Sequence, residues 1–220
     1  MIITIDGPVA TGKSTIARQL AERLGFIYFD TGAMYRCLTY ALIKNKIDLE
    51  KDLNSFLNGF HFDIKLLNGE KHYFVEQEDV TQKIRSAQVT QLVSKVSAMK
   101  AVREKLVNLQ QDWAVGLDAV FEGRDLGTVV FPHAGLKVFL TGREEVRAKR
   151  RYDELRAKFP AETLSLTLEQ ALKDINERDQ YDSTRELSPL KPATDAYIID
   201  TSDQTVEEII INIINKMRSL

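Results

Sequence analysis

The 220-residue sequence has few of the residues that build covalent or metal-held frameworks. It contains one cysteine, Cys37, so no disulfide can form within the chain. Its three histidines, His61, His72 and His133, are scattered and show no metal-ligand spacing. These shortages exclude a disulfide scaffold and argue against a structural zinc site.

The sequence also lacks a charge excess of either sign and a long hydrophobic run. Thirty Lys and Arg face 32 Asp and Glu, a formal net charge of −2, so no global positive field exists to attract nucleic acid. No apolar run approaches the roughly 18 residues of a membrane span, and no signal peptide precedes the first strand-like run. We expect a cytoplasmic protein, monomeric, without nucleic-acid or membrane partners.

What is present begins with Gly-Pro-Val-Ala-Thr-Gly-Lys-Ser at residues 7–14, between an apolar run at 2–5 and a helix-like stretch. The order strand, glycine-rich turn, helix is typical of a phosphate-binding loop, whose backbone N–H groups and helix dipole attract phosphate. We expect Lys13 to reach the β- and γ-phosphates of ATP and Ser14 to ligate Mg²⁺. The predicted ATP-binding residues are Gly7, Pro8, Val9, Ala10, Thr11, Gly12, Lys13, Ser14 and Thr15.

Strand-like and helix-like segments alternate at both ends of the chain. This pattern predicts an α/β fold with a parallel central sheet of about five strands flanked by helices. The predicted strands are 2–6, 26–30, 119–122, 136–141 and 196–200. The predicted helices include 14–24, 32–44 and 205–218, the last opening with Thr205 and Glu208 spaced as a capping box.

The middle of the chain has a different pattern. Apolar residues alternate with polar ones from Phe60 to Leu66, followed by Asn68-Gly69 and a second strand-like run, which predicts a β-hairpin. Residues 86–112 then read as one long helix. We interpret the whole chain, 1–220, as a single domain with an inserted antiparallel β plus helix subdomain at about 58–100.

A basic helix follows the fourth predicted strand. Arginines crowd residues 143–156, a short break occurs at Phe159-Pro160, and Thr167 with Gln170 can cap a further helix. Such a helix–loop–helix opposite a phosphate loop is what a closing lid requires. We place this short helical lid at about 148–167.

The loop alone leaves the phosphate acceptor open. A kinase of small molecules must neutralise two anionic groups in line and exclude water, which requires arginines from several segments. Candidates are Arg36, Arg103, Arg124, Arg178 and Arg185. Two alternatives remain: a kinase of another acceptor, such as UMP or a non-nucleotide like shikimate, and a nucleotide-binding switch without turnover.

Several segments resemble the motifs of cytidylate kinases, a family of nucleoside monophosphate kinases. They are Asp30-Thr31-Gly32-Ala33-Met34-Tyr35-Arg36, Glu122-Gly123-Arg124-Asp125-Leu126-Gly127-Thr128, and Arg178, Asp182 and Arg185 leading into Leu187-Ser188-Pro189-Leu190. With the phosphate loop, four motifs occur in the family's order. The resemblance is to the bacterial type and spans nearly the whole chain.

The resemblance implies transfer of a phosphoryl group from ATP to CMP or dCMP with Mg²⁺, giving ADP and CDP or dCDP. It implies that Thr31, Arg36 and Arg124 lie near the CMP phosphate. It places Ser94, Arg103, Asp125 and Arg185 around cytosine, and Arg178 with Asp182 at the ribose. The catalytic residues expected are Lys13, Arg124 and Arg178.

The chemistry of these residue types agrees with that expectation. Cytosine offers an amino donor at N4, which Asp125 can accept, and acceptors that Arg103 or Arg185 can satisfy. Arg178, Asp182 and Arg185 are spaced i, i+4 and i+7, which predicts one helical face. Glu122 departs from the family pattern, which more often has Asp there, and its role stays open.

Overall fold

The structure is a computed structural model that describes residues 1–68, 70–161 and 163–219. Gly69, the second residue of the predicted hairpin turn, and Glu162, within the predicted lid, lie outside the described residues. The chain forms two compact units. The first comprises Met1–Asp30 and Trp113–Leu220, and the second comprises Thr31–Asp112.

The strands follow in chain order as β1 (Ile2–Asp6), β2 (Ile27–Asp30), β3 (Phe62–Leu67), β4 (Glu70–Val75), β5 (Glu78–Asp79), β6 (Ala119–Glu122), β7 (Leu136–Thr141) and β8 (Tyr197–Asp200). The α-helices are α1 (Lys13–Leu24), α2 (Thr31–Lys44), α3 (Asn54–Gly59), α4 (Ala87–Ala98), α5 (Lys100–Ala114), α6 (Glu144–Lys158), α7 (Leu168–Thr184) and α8 (Val206–Arg218). A 3₁₀ turn covers Lys83–Arg85 and a π-helical turn covers Leu126–Val130.

The first unit is built on a five-stranded sheet in the order β2-β6-β1-β7-β8, in which neighbouring strands run parallel. The predicted parallel sheet is therefore confirmed. Its strands are short and apolar because helices cover them. The core joins the strands to α1 and α8 through Ile3, Ile5, Ile16, Leu20, Val138, Leu140, Ile209 and Ile213, all buried.

Local sequence signals set the ends of several helices. Gly25 closes α1 in a left-handed conformation, φ 68°, that glycine adopts without strain. The capping box of Thr205 and Glu208 opens α8, and that of Thr167 and Gln170 opens α7. Both capping boxes are as predicted.

The second unit holds an antiparallel sheet in the order β3-β4-β5, with α2 and α4 packed together. Leu66 pairs with Lys71, and Leu67 with Glu70, so the predicted hairpin is confirmed on both sides of its turn. Alternate side chains face a core that includes Phe62, Tyr73 and Val75.

Two predictions about helices are wrong. The single helix over 86–112 is broken at Met99, whose extended backbone, φ −73° and ψ 129°, separates α4 from α5. The Arg103 guanidinium folds back and donates to the Ser97 carbonyl at 3.3 Å, which satisfies a backbone group freed by the break. Arg185 does not continue the helical face of Arg178 and Asp182, because α7 ends at Thr184 and Arg185 is extended.

No helix among residues 1–68, 70–161 and 163–219 is long and apolar enough to cross a membrane.

The packing of α1 on the sheet generates a stability prediction. Leu20 is fully buried in the core of the first unit, so Leu20→Ala removes apolar contacts and leaves a cavity. We expect a loss of about 2–5 kcal/mol in the free energy of unfolding, measured by urea titration. The matched control is the exposed Glu22 of the same helix, whose change to alanine should alter stability by no more than about 0.5 kcal/mol. Equal losses in both variants would contradict this account of the core.

Candidate active site

The phosphate loop joins β1 to α1 through two glycines whose backbone other residues rarely adopt. Gly7 has φ 144°, and a Cβ there would lie 2.2 Å from the carbonyl oxygen of Leu140 in β7. Gly12 has φ 89° and caps α1. The loop therefore curls closely over the carboxyl end of the sheet, with the N-terminus of α1 facing it.

Lys13 is buried at the start of α1, and its ammonium donates to the Pro8 carbonyl at 2.6 Å. Burial and the neighbouring Arg124 guanidinium lower the pKa of Lys13 well below its usual value, while Glu122 and Asp179 act in the opposite direction. The Lys13 ammonium is therefore repelled by neighbouring positive charge. Because of this excess of positive charge, a polyanion placed beside Lys13 would be strongly attracted.

Glu122 ends β6 beside Asp30 of β2, in register with it. The Tyr28 hydroxyl donates to Glu122 Oε1 at 2.5 Å, and a hydrogen bond also links Glu122 to Ser14. Burial and the Asp30 carboxylate raise the pKa of Glu122. The residue whose role the sequence left open thus lies next to the hydroxyl predicted to ligate a metal.

Asp6 ends β1 and orders the segment that follows β6. Its carboxylate accepts from the backbone N–H groups of Leu126, at 3.0 Å, and Gly127, at 2.8 Å, where the π-helical turn begins. Burial raises the pKa of Asp6 to about 6, although both hydrogen bonds favour the ionised form. Asp6 therefore fixes the backbone directly after Arg124 and Asp125.

Four of the predicted site residues of the first unit form one ion-pair network. Arg124 Nε donates to Asp182 Oδ2 at 3.1 Å, and Arg185 Nη2 to Asp125 Oδ1 at 3.3 Å. Arg185 also lies 4.0 Å from Asp182 and donates to the Ser188 carbonyl at 2.6 Å. The segment after β6 and the C-terminal end of α7 are thereby joined by contacts between residues 58 and 60 positions apart.

Arg178 stands beside this network on α7. Burial and the neighbouring Arg124 lower its pKa to about 10, an unusual shift for a guanidinium. Its Nε is buried and has no hydrogen-bond partner in the described part of the chain. Arg151 of α6 adds a further like charge to Arg178.

The second unit places its own predicted residues on adjoining helices. Arg36 of α2 donates to Thr90 Oγ1 of α4 at 2.9 Å and to the Ile84 carbonyl at 3.1 Å. Arg103 of α5 lies over the ring of Tyr35, 5.7 Å from its centroid. Ser94 is half-buried on α4, one turn after Thr90, and Thr31 is buried at the start of α2.

Sequence reasoning missed the residues that act through backbone groups. The sequence predicts Asp6 only as the end of a strand and Arg147 only as part of a basic helix, and it predicts no role for Asp179. Their partners are backbone atoms distant in sequence, which no local pattern marks. A carboxylate directly before a phosphate loop was the one available signal, at Asp6.

A phosphate-binding loop on a parallel sheet, with buried cations gathered beside it, defines a P-loop kinase. The chain belongs to the cytidylate kinase family, whose model matches residues 3–219. Membership implies ATP as the phosphate donor.

Curated relatives agree over nearly the full length. The chain is 62% identical to a cytidylate kinase of Protochlamydia amoebophila, over 97% of this chain and 95% of that protein. It is 43% identical to a cytidylate kinase of Fusobacterium nucleatum, over 98% and 96%.

Solved structures support the fold alone. A gluconokinase from Sinorhizobium meliloti matches at a TM-score of 0.51 and 14% identity, over 99% of this chain and 91% of that one. A shikimate kinase from Bacteroides thetaiotaomicron matches at 0.51 and 12%, over 100% and 99%.

The closeness of Gly7 to Leu140 yields a prediction for nucleotide binding. In Gly7→Ala the new Cβ would collide with a backbone oxygen, so the loop must shift. We expect the dissociation constant for ATP, measured by titration calorimetry, to rise by about tenfold or more.

Gly25→Ala is the matched control, because φ there is also positive, 68°, but a Cβ meets nothing within 4 Å. It should cost some stability and leave ATP affinity unchanged. Wild-type affinity in Gly7→Ala would contradict the proposed geometry of the loop.

Proposed function

We propose that this chain transfers the γ-phosphoryl group of ATP to CMP and dCMP, giving ADP and CDP or dCDP. The family supports the reaction. The observation that carries it is the gathering of Lys13, Arg124 and Arg178, where burial and, after it, the like charge of Arg124 lower the pKa of Lys13 and of Arg178. Such a cluster is suited to two phosphate groups brought together for transfer.

In the proposed reaction an oxygen of the CMP phosphate attacks the γ-phosphorus in line. The bond from that phosphorus to the bridging oxygen breaks, and the electron pair leaves with ADP. Lys13, Arg124 and Arg178 stabilise the charge on the transferring oxygens. No general base is needed, because the acceptor phosphate is already anionic.

The donors beside the loop fit Mg²⁺. Ser14 and Glu122 are hydrogen-bonded to each other, and Asp30 lies beside Glu122, so the set consists of the hard oxygen ligands that this ion prefers. We assign Ser14 and Glu122 to hold it. Mg²⁺ would neutralise charge on the β- and γ-phosphates. The two neighbouring carboxylates, Asp30 and Glu122, favour a cation there.

For the acceptor we assign Thr31, Arg36 and Arg124 to the CMP phosphate, and Arg178 with Asp182 to the ribose. We assign Ser94, Arg103, Asp125 and Arg185 to cytosine. The Arg185–Asp125 contact supports this, since the ion pair fixes the guanidinium donors of Arg185 and the carboxylate acceptors of Asp125 for a base edge. Uracil, with an acceptor at position 4, would face the Asp125 carboxylate.

We further propose that residues 1–220 act as one kinase domain, with the segment at about 58–100 as the acceptor-binding subdomain. Residues 148–167, which comprise most of α6 and the segment that leads to α7, act as the lid. The compact unit Thr31–Asp112 contains the first segment, which supports its separate role. We propose a cytoplasmic monomer whose partners are nucleotides.

The reaction is tested by ADP release with ATP, Mg²⁺ and each of CMP, dCMP, UMP, AMP and GMP. We expect kcat/KM for CMP and dCMP to exceed that for AMP and GMP by about 100-fold or more, because a buried polar site rejects a mismatched base. Lys13→Ala should reduce kcat by about 10²–10³, since it removes a charge that stabilises the transferring phosphoryl group. Preferred turnover of AMP or GMP would disprove the acceptor, and ATP binding without any turnover would disprove the kinase.

Base reading is tested separately at Asp125. Asp125→Ala should lower the preference for CMP over UMP by about tenfold or more, because the acceptor for the cytosine amino group is lost. The KM for ATP should stay within about twofold, since the assigned ATP contacts lie in the phosphate loop.

The control is Asp195→Ala, which also breaks an ion pair, that with Lys137 at 2.8 Å. Its CMP/UMP ratio should match the wild type. An unchanged ratio in Asp125→Ala would refute the assignment.

A further inference from the structure

Val9 in the phosphate loop is hydrogen-bonded by two side chains from outside the loop. The Asp179 carboxylate accepts from the Val9 backbone N–H at 2.8 Å, and the Arg147 guanidinium donates to the Val9 carbonyl at 2.9 Å. Arg147 and Asp179 are also ion-paired with each other. We call this pair of side chains the Val9 clamp.

The clamp is itself anchored in the helices that carry it. Arg147 belongs to α6 and its Nε donates to the Gly142 carbonyl at 3.0 Å, while Asp179 belongs to α7. The Arg147 side chain is 6% exposed and that of Asp179 is 15% exposed. Water therefore has little access to the pair.

The Val9 side chain is held as well. It packs against Ala148 of α6 and Ile175 of α7, with Leu172 at the margin of the same small cluster. Backbone and side chain of one loop residue are thus both fixed to the α6–α7 pair. A single residue with this many anchors cannot move without the helices.

The loop has reason to be held. Its path requires φ 144° at Gly7 and φ 61° at Ala10, a conformation that a free chain seldom adopts. Amide donors bind phosphate well only if they already point inward, since ordering them on binding costs affinity. The Val9 N–H donates to Asp179, so this amide serves to fix the conformation of the loop.

The clamp also bears on the cations. Asp179 is the residue after Arg178, and its carboxylate raises the pKa of both Lys13 and Arg178 against their mutual repulsion. Asp179 lies between Arg178 and Asp182 on α7, so its hydrogen bond to Val9 also holds the part of α7 that carries these two residues. One contact thereby fixes the position of α7 relative to the loop.

We propose that Arg147 and Asp179 are positioning residues that hold the phosphate loop in its ATP-binding form and align α7 with it. This rests on the proposed function for its ligand, ATP. A merely structural ion pair would give a different result, because it would alter stability and leave ATP affinity alone.

The test uses the full chain with Asp179→Ala, Asp179→Asn, Arg147→Met and the double variant Arg147→Met/Asp179→Ala. The dissociation constant for ATP is measured by calorimetry without CMP, beside urea unfolding of each variant. We expect Asp179→Ala to weaken ATP binding by about 10- to 100-fold, the range for a lost hydrogen bond to a charged group. Asp179→Asn should recover part of the loss, because its amide oxygen can still accept from the Val9 N–H.

The double variant should bind ATP about as weakly as the worse single variant, because the two side chains act as one unit. Glu177→Ala is the matched control: Glu177 lies on the same helix, its side chain is 65% exposed, and its contact is with Lys173. It should bind ATP as the wild type does.

ATP binding within twofold of wild type in folded Asp179→Ala overturns the proposal. If that variant does not fold, Arg147→Met decides, and ATP binding within twofold of wild type there overturns the proposal equally. Turnover separates this inference from the proposed function. A wild-type chain that binds ATP but does not phosphorylate CMP contradicts the function, while the ATP affinities still decide the role of the clamp.

Discussion

The rest of the site depends on the mutual repulsion of three cations. Lys13, Arg124 and Arg178 come from the phosphate loop, the segment after β6, and α7, and two of them have lowered pKa values. Burial removes the water that would screen Lys13 and Arg178, so these two charges are costly to hold in place. The same arrangement that costs folding free energy stabilises the charge that develops during phosphoryl transfer.

Carboxylates reduce the repulsion between these cations, and each carboxylate also makes a structural contact. Asp182 pairs with Arg124, Asp179 bonds the Val9 backbone, and Glu122 bonds Tyr28 and Ser14. Asp6 serves differently, since it orders the backbone after Asp125 rather than pairing with a cation. Because these carboxylates are held by fixed partners, they reduce the repulsion between the cations while the cations stay close together.

How far the sequence predicted this depends on whether a feature is local. The phosphate loop, the capping boxes at Thr167 and Thr205 and the hairpin are short-range patterns, and they were predicted correctly. The break at Met99 was not, because no glycine or proline marks it and the Arg103 side chain stabilises it from the following helix. The backbone partners of Asp6 and Asp179 lie more than 100 residues away, beyond any periodicity argument.

Val9 shows why a departure from a glycine-rich loop need not weaken it. A glycine there would keep the backbone hydrogen bonds to Arg147 and Asp179 but lose the apolar contact with Ala148 and Ile175. Glycine would also give the unbound loop more conformations to lose on ordering. Valine, stiff at χ1, limits those conformations and adds burial. The loop thus gains from α6 and α7 the rigidity that its own short sequence does not supply.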